Sequence, residues 1–513
     1  MNILMIYPEF PDTFWSFKHA LKFIGKTAST PPLGLLTIAS MLPKDWEKRL
    51  VDLNVQRLTD KDLAWADMYF ISAMDVQRDS TREVIARCKA QNKTIVAGGP
   101  LFTGEYETFP EVDHFVLNEG EITLPPFLAD LEKGSARRIY STPEYADLST
   151  TPIPSFELLD FRKYDSIAIQ YSRGCPFNCD FCNITAMLGH RPRTKSANQL
   201  IAELDWLYQT GWRRNVFFVD DNFIGNKRQL KEEILPALIE WRKDKTGFLF
   251  ITEASINLAD DEVLMNLLAQ AGFISVFIGI ETPDEAGLAE CNKTQNKGRD
   301  LIESVKRMQR HGLQVMGGFI VGFDSDTSSI FQRQVDFIQN SGIVTAMVGM
   351  LQAPFGTQLY ARLQKENRLV SEMSGDNGDG TTNIIPRMDL DELTAGYLDI
   401  IRKIYSPELF YRRIRTFLEE FNPRKMPVTI SLNEVVALLR TVIQFGLLGR
   451  ERKQYWQLFW WVLLNSPEKF PMAITLTVYG YHFRRVSELH IIAHASKKAS
   501  QPTQPSNLAL QPR

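Results

Sequence analysis

Short apolar runs alternate with helical periodicity through the first part of the chain. Asn2–Ile6, Arg49–Leu53, Met68–Ala73, Thr94–Ala97 and His114–Leu117 have the length and composition of strands. Helical spacing separates several of them, as over Ser80–Ala90. Strands and helices in this alternation predict a doubly wound, Rossmann-like parallel sheet of five strands over residues 1–148. Gly98-Gly99-Pro100 and Glu119-Gly120-Glu121 follow the fourth and fifth strands, where open α/β sheets form a ligand crevice. Residues 149–165 carry Pro152 and Pro154 and read as a linker. The rhythm then restarts. Ile167–Tyr171, Asn215–Asp220, Phe248–Glu253, Ser275–Glu281, Gln314–Val321 and Val344–Leu351 are candidate strands with helical stretches between them. Six such units predict a partial (βα)6, TIM-like barrel over residues 166–365. Residues 366–494 read as mainly helical after a glycine-rich loop, Ser374–Gly380, that is flexible by composition. Residues 495–513, rich in Gln, Ser, Pro and Lys, read as a disordered tail.

A chain of 513 residues exceeds one ordinary core. Its net charge of −3 gives no global reason for a nucleic-acid partner. The N-terminus has no basic region before its apolar run and reads as a first strand, and no run reaches the roughly 18 apolar residues of a membrane span. Both point to the cytoplasm. Five cysteines, three of them within residues 175–182, suit a reducing compartment and a metal loop rather than a disulfide framework.

That loop is Cys175-Pro-Phe-Asn-Cys179-Asp-Phe-Cys182, at the end of the first barrel strand. Three thiolates can wrap one face of a [4Fe–4S] cubane and leave its fourth iron open. An open metal position is a catalytic feature. A structural zinc site with His190 or Cys291 as fourth ligand, or three unligated cysteines, are the bland alternatives. The loop resembles the signature of the radical S-adenosylmethionine (SAM) superfamily, including the aromatic Phe181 before the third cysteine. The resemblance implies that Cys175, Cys179 and Cys182 bind the cluster. It also implies that SAM is cleaved reductively to methionine and a 5′-deoxyadenosyl radical, with an electron donor protein as partner.

Later strands end in residues that match family elements. Glu281 resembles the ribose-contacting position of the fourth strand. Gly318-Phe-Ile-Val-Gly322 is similar to the GxIxG element beside the adenine, and Pro354 resembles an element near the same ring, with Phe355 where the family often has a second proline. Asp220-Asp221-Asn222 and Thr252-Glu253 could accept hydrogen bonds from ribose or an ammonium, or cap the helices that follow. The basic run His190–Lys195 could meet the methionine carboxylate, or be solvated charge.

The N-terminal sheet ahead of such a barrel resembles the cobalamin-binding subclass, with its Thr30-Pro31-Pro32-Leu33-Gly34-Leu35 segment, Gly98, Gly99 and Glu119 as implied cobalamin contacts. A DxHxxG motif is absent; His19 and His114 lie in other contexts. A degenerate domain kept for packing is the bland alternative. The C-terminal extension is similar to that of the hopanoid C-2 methylase group. Trp456–Leu464, beside Arg450, Arg452 and Lys453, suits either a bilayer interface or a buried helix. Together these resemblances imply methyl transfer from methylcobalamin to an unactivated carbon of a small-molecule or lipid-like substrate, with peripheral membrane contact left open. A non-methylating cyclisation or oxidation, and a non-enzymatic cobalamin sensor, are the rival readings.

Overall fold

The computed structural model describes residues 1–423 and 432–500. Two parallel sheets organise it. The first contains β1 (Asn2–Tyr7), β2 (Glu47–Asp52), β3 (Met68–Ser72), β4 (Thr94–Gly98), β5 (His114–Val116) and β6 (Ile139–Tyr140), in the order β2-β1-β3-β4-β5-β6. The apolar pattern predicts five strands. The sixth has two residues, too few to carry a period-two pattern, and it is held by pairing with β5. Strands β1 and β3 are apolar on both faces because helices cover both sides, as parallel sheets require. The order reverses direction at β1, so the ligand crevice lies beyond the carboxyl ends of β1 and β3. Residues 149–165 pack against this domain: the Tyr164 hydroxyl donates to buried Asp52 at 2.9 Å.

The second sheet contains β7 (Ser166–Ile169), β10 (Asn215–Phe218), β11 (Leu249–Ala254), β12 (Phe273–Glu281), β13 (Gln314–Val321) and β14 (Ala346–Met350), paired in chain order. It is the expected six-stranded partial barrel. A short antiparallel hairpin, β8 (Ser172–Arg173) with β9 (Arg193–Thr194), flanks the cysteine loop. The outer face, with Val276, Ile278, Phe319, Val321 and Val348, joins the main hydrophobic core with the surrounding helices. The inner face carries Phe277, Gly279, Met316, Gly318 and Met347. A complete TIM barrel fills its interior with inward side chains; here Phe217, Ile251, Phe277, Met316 and Met347 keep partial exposure.

Six strands leave a gap between the edge strands β7 and β14. The N-terminal segment 14–29 crosses it. Trp15 meets Phe277 edge-on at 5.3 Å and Met347 through its indole nitrogen at 3.0 Å. At the other end Ser29 accepts from the Ser166 amide, and Ala28 bridges to Tyr164. The C-terminal helices back this segment. Phe14 stacks on Phe483 of the helix Phe470–Ser500, with centroids 4.1 Å apart.

Two expectations change. The Ser374–Gly380 loop is held rather than loose. Asp376 and Asp379 accept from the Gly378 and Thr381 amides, Gln352 reaches its carbonyls, and Arg78 donates to Met373. The final helix carries Ala495–Ser500, taken from composition as tail, because Ala and Lys favour helix; residues 501–513 lie outside the described residues.

Phe14→Ala should lower the denaturation midpoint, with a loss of about 3 kcal/mol for a buried aromatic. Trp15→Ala, at a residue 37% exposed, should cost distinctly less. Urea melts of the two variants compare them.

Candidate functional site

The cysteine loop sits at the carboxyl end of the barrel. Gly174 enters it with φ 94°; a Cβ there would crowd the carbonyls of Leu188, Gly189 and Arg191 at about 3 Å, so the loop needs glycine at this turn. The loop is tied to the fourth and sixth βα connections. The Asp180 amide donates to the Cys291 carbonyl at 3.1 Å, and Asn292 donates to the Asn178 carbonyl at 2.8 Å. The Leu359 amide donates to the Asp180 carbonyl at 2.9 Å.

Each sulfur meets an N–H donor. Cys175 receives the Phe177 amide and Asn222, whose Nδ2 stands 3.8 Å away. Gln295 Nε2 stands 3.7 Å from Cys179, and the Ile184 amide serves Cys182. Burial pushes the Cys182 thiol up to about 12 and raises Cys175 as well. Such thiols become thiolates when a metal displaces the proton. Sulfurs that accept N–H hydrogen bonds suit an iron–sulfur cluster, so Cys175, Cys179 and Cys182 could hold one. Among the described residues, no group of three His, Cys, Asp or Glu side chains gathers closely enough for a single metal ion. His190 is exposed, and Cys291 and Cys88 are buried in apolar clusters.

Glu281 ends β12 in a left-handed conformation, φ 64°, which is costly for a non-glycine residue. Its Oε1 accepts from Lys293 Nζ at 2.6 Å, across the space left by Gly279. Lys293 lies 5.8 Å from the Phe181 ring of the cysteine loop. Burial opposes its charge, but the Glu281 carboxylate holds it above the ordinary lysine value. Lys293 and Gln295 were missed from sequence: neither stands in a motif, and only the fold of the fourth connection brings them to the cysteines.

Three carboxyls converge at the neighbouring strand ends. Burial raises Asp220 to about 7, Asp221 to about 6 and Glu253 to about 8, with Asp220 and Asp221 adding repulsion at Glu253. Asp220 is tied to the Tyr171 amide and the Ser172 hydroxyl. Asn222 accepts from Ser255. Asn222 precedes the short 3-10 helix Phe223–Asn226, but its side chain makes no capping bond there. Asp221 Oδ2 is buried without a hydrogen-bond partner.

Gly318 faces the barrel interior, its Cβ position 2.8 Å from the Phe277 ring. Gly322 does not. The chain turns there with φ 102°, and its Cβ position faces Leu393 of the helix Leu390–Ile404, so the turn and the packing both require glycine. The Pro354 carbonyl accepts from the Thr357 hydroxyl at the start of the next helix, and a Cβ at Gly356 would stand 3.9 Å from Ala186, which follows the cysteine loop.

In the first sheet, Gly98 and Gly99 end β4, part-exposed. Their Cβ positions would lie 2.5 Å from the Val116 carbonyl and 2.4 Å from Ser72 Oγ. Packing against these neighbours requires glycine at both positions. Glu119 points elsewhere than to that crevice. It pairs with Arg173 at 2.9 Å and Arg193 at 2.7 Å, while Glu121 pairs with Arg173 at 2.8 Å. All four charged groups are largely buried, and they join the two sheets beside the cysteine loop. The rest of the basic run divides: Lys195 pairs with buried Glu203, and His190 and Arg191 are exposed. His19 contacts Asp12 and His482, and His114 contacts the Arg137 carbonyl at the far end of β5. Neither stands at the crevice.

Three family models match: the B12 binding domain over residues 27–128, the Radical SAM superfamily over 169–338 and a domain of unknown function, DUF4070, over 357–495. An uncharacterized methyltransferase of Synechocystis sp. is 41% identical over 95% of this chain and 92% of its own length. The hopanoid C-2 methylase of Rhodopseudomonas palustris is 33% identical over 89% and 88%. The cobalamin-dependent SAM radical enzyme OxsB, solved with aqua-cobalamin and SAM bound, shares the fold, with a TM-score of 0.61 at 14% identity over 98% of this chain and 82% of its own.

Arg173→Ala would leave Glu119 and Glu121 short of a buried counter-charge. It should cost about 3 kcal/mol in a denaturant titration. Glu253 favours its neutral form in the fold, so its protonation stabilises the protein at low pH. That contribution fades as pH rises from the ordinary glutamate range to about 8. Glu253→Gln, neutral throughout, should therefore gain in midpoint over the parent from pH 5 to pH 8 and level off above, in melts across that range.

Proposed function

We propose the function from family membership: this chain belongs to the cobalamin-dependent radical SAM methyltransferases, with the hopanoid C-2 methylase among its relatives. It is an enzyme of that family, and its cofactors are a [4Fe–4S] cluster, SAM and cobalamin. The reading beyond this is methyl transfer to an unactivated carbon of an apolar, lipid-like substrate. When bound, the reduced cluster supplies the electron that splits one SAM into methionine and a 5′-deoxyadenosyl radical, and cobalamin supplies a methyl group taken from a second SAM.

The chain's residues divide the work as follows. Cys175, Cys179 and Cys182 hold the cluster. Lys293 pairs with the methionine carboxylate, Asp221 and Glu253 take its ammonium, and Glu281 takes a ribose hydroxyl. Gly318 and Pro354 flank the nucleoside. The loops after β1, β3 and β4, with Gly98 and Gly99, hold cobalamin. Glu119 is a positioning residue that keeps the two cofactor domains in register. The observation that carries the substrate class is the inner face of the barrel. Phe217, Ile251, Phe277, Met316 and Met347 are part-exposed there, below the cysteine loop, where a polar substrate would be poorly matched.

The test is anaerobic reconstitution with iron, sulfide and cobalamin, reduction with SAM present, and chromatography for 5′-deoxyadenosine and methylcobalamin. Both products are expected. Deoxyadenosine without methylcobalamin would favour the non-methylating rival. Replacing any one of Cys175, Cys179 and Cys182 by Ala should remove the cluster absorbance and cut deoxyadenosine by about a hundredfold or more.

A further inference from the structure

The C-terminal region presents an apolar surface that no described element covers. The helix Leu432–Thr441 runs on through a π-helical turn, Val442–Leu448, and the helix Arg452–Asn465 doubles back against it. The inner sides of this hairpin are ordinary core: Phe445, Tyr455, Leu458 and Val462 are buried, and Trp456 donates to the Gly446 carbonyl at 3.0 Å. The outer side is different. Leu439, Ile443, Leu447, Leu448, Trp460 and Leu464 are between 51% and 81% exposed. Isolated exposed apolar residues need no explanation, but a contiguous group marks a docking surface.

The exposed charge at the bend of the hairpin has one sign. Arg450, Arg452 and Lys453 are exposed at the bend of the hairpin. Glu451, between them, is buried against Arg484 and adds no negative charge to the surface. An apolar helix face with a tryptophan, rimmed by arginine and lysine, matches the layered chemistry of a bilayer with anionic headgroups. No helix among the described residues is long and apolar enough to cross a membrane, so contact through this surface is monotopic.

We infer that the hairpin of residues 435–464 docks the enzyme on an anionic membrane surface, with Leu439, Ile443, Leu447, Leu448, Trp460 and Leu464 entering the headgroup boundary and Arg450, Arg452 and Lys453 meeting lipid phosphates. The Trp456–Leu464 stretch contributes its outer edge, Trp460 and Leu464, while the preceding helix supplies most of the apolar area. Docking does not depend on which carbon is methylated, so its failure would leave the proposed reaction untouched.

Flotation of the cluster- and cobalamin-loaded enzyme with vesicles tests this. The parent should float with phosphatidylglycerol-containing vesicles and bind pure phosphatidylcholine more weakly. Leu439→Glu with Ile443→Glu should cut binding by roughly tenfold or more while cluster absorbance and melting temperature hold. If that variant does not fold, Arg452→Glu with Lys453→Glu, which changes exposed charge alone, should lose the preference for anionic vesicles. A parent that fails to float, or variants that float as the parent does, would overturn the inference. So would a parent that is dimeric in size-exclusion chromatography and becomes monomeric on Leu439→Glu with Ile443→Glu, since a second copy would then cover the surface.

Discussion

Two guanidinium groups and two carboxylates are buried where the sheets meet, and four charges are tolerated there because each faces an opposite partner. Arg173 joins Glu119 to Glu121, and Arg193 completes the set at Glu119. Taking such groups out of water is costly, and their attraction offsets the cost only in good geometry. The arrangement therefore tolerates little sliding between the domains. Its position matters as much as its strength. Arg173 lies two residues before Cys175, and Glu119 ends the β5 connection of the first sheet. A change in the angle between the sheets has to pass through the hairpin that carries the cysteine loop.

The loop itself depends on backbone rather than bulk. Gly174 lets the chain fold under the carbonyls of residues 188–191, and the fourth and sixth connections then fasten it from two sides. The same connections deliver Gln295 and Lys293 to the sulfurs, and Lys293 engages Glu281, held at positive φ. Strain of this kind persists where surrounding contacts over-determine it. Here the ion pair across Gly279 supplies one such contact. A side chain at residue 279 would collide with both members of the pair.

Periodicity made all six barrel strands legible in the sequence, because each is long enough for an apolar pattern and is followed by a helix. β6 was hidden, since two residues carry no pattern. Spacing made the three cysteines legible. Glu119 was legible as part of a motif but not in its partner: the arginines that claim it are 54 and 74 residues away. Gly322 departs from the strand's alternation for a related reason. Alternation along β13 would aim residue 322 inward with Gly318, but the strand ends at Val321 and the chain turns. Composition misled at Ser374–Gly380, where glycine suggested freedom while Asp376, Asp379 and the distant Gln352 supply the hydrogen bonds that fix it.

Stopping a barrel at six strands creates an obligation that the rest of the chain meets. An eight-stranded barrel closes on itself; six strands leave two edges and an unfilled interior. One edge region is crossed by residues 14–29, which belong in sequence to the first domain. The loop after the barrel lies against β14, with the Asn377 carbonyl over Gly349. The helix Phe470–Ser500 then stacks Phe483 on Phe14 and buries His482 against the Phe14 carbonyl. The first domain and the C-terminal helices are thus structural parts of the barrel as well as appendages to it. Their contacts lie at the edges and, through Trp15 on Phe277 and Met347, on part of the inner face, where Phe217, Ile251 and Met316 keep partial exposure.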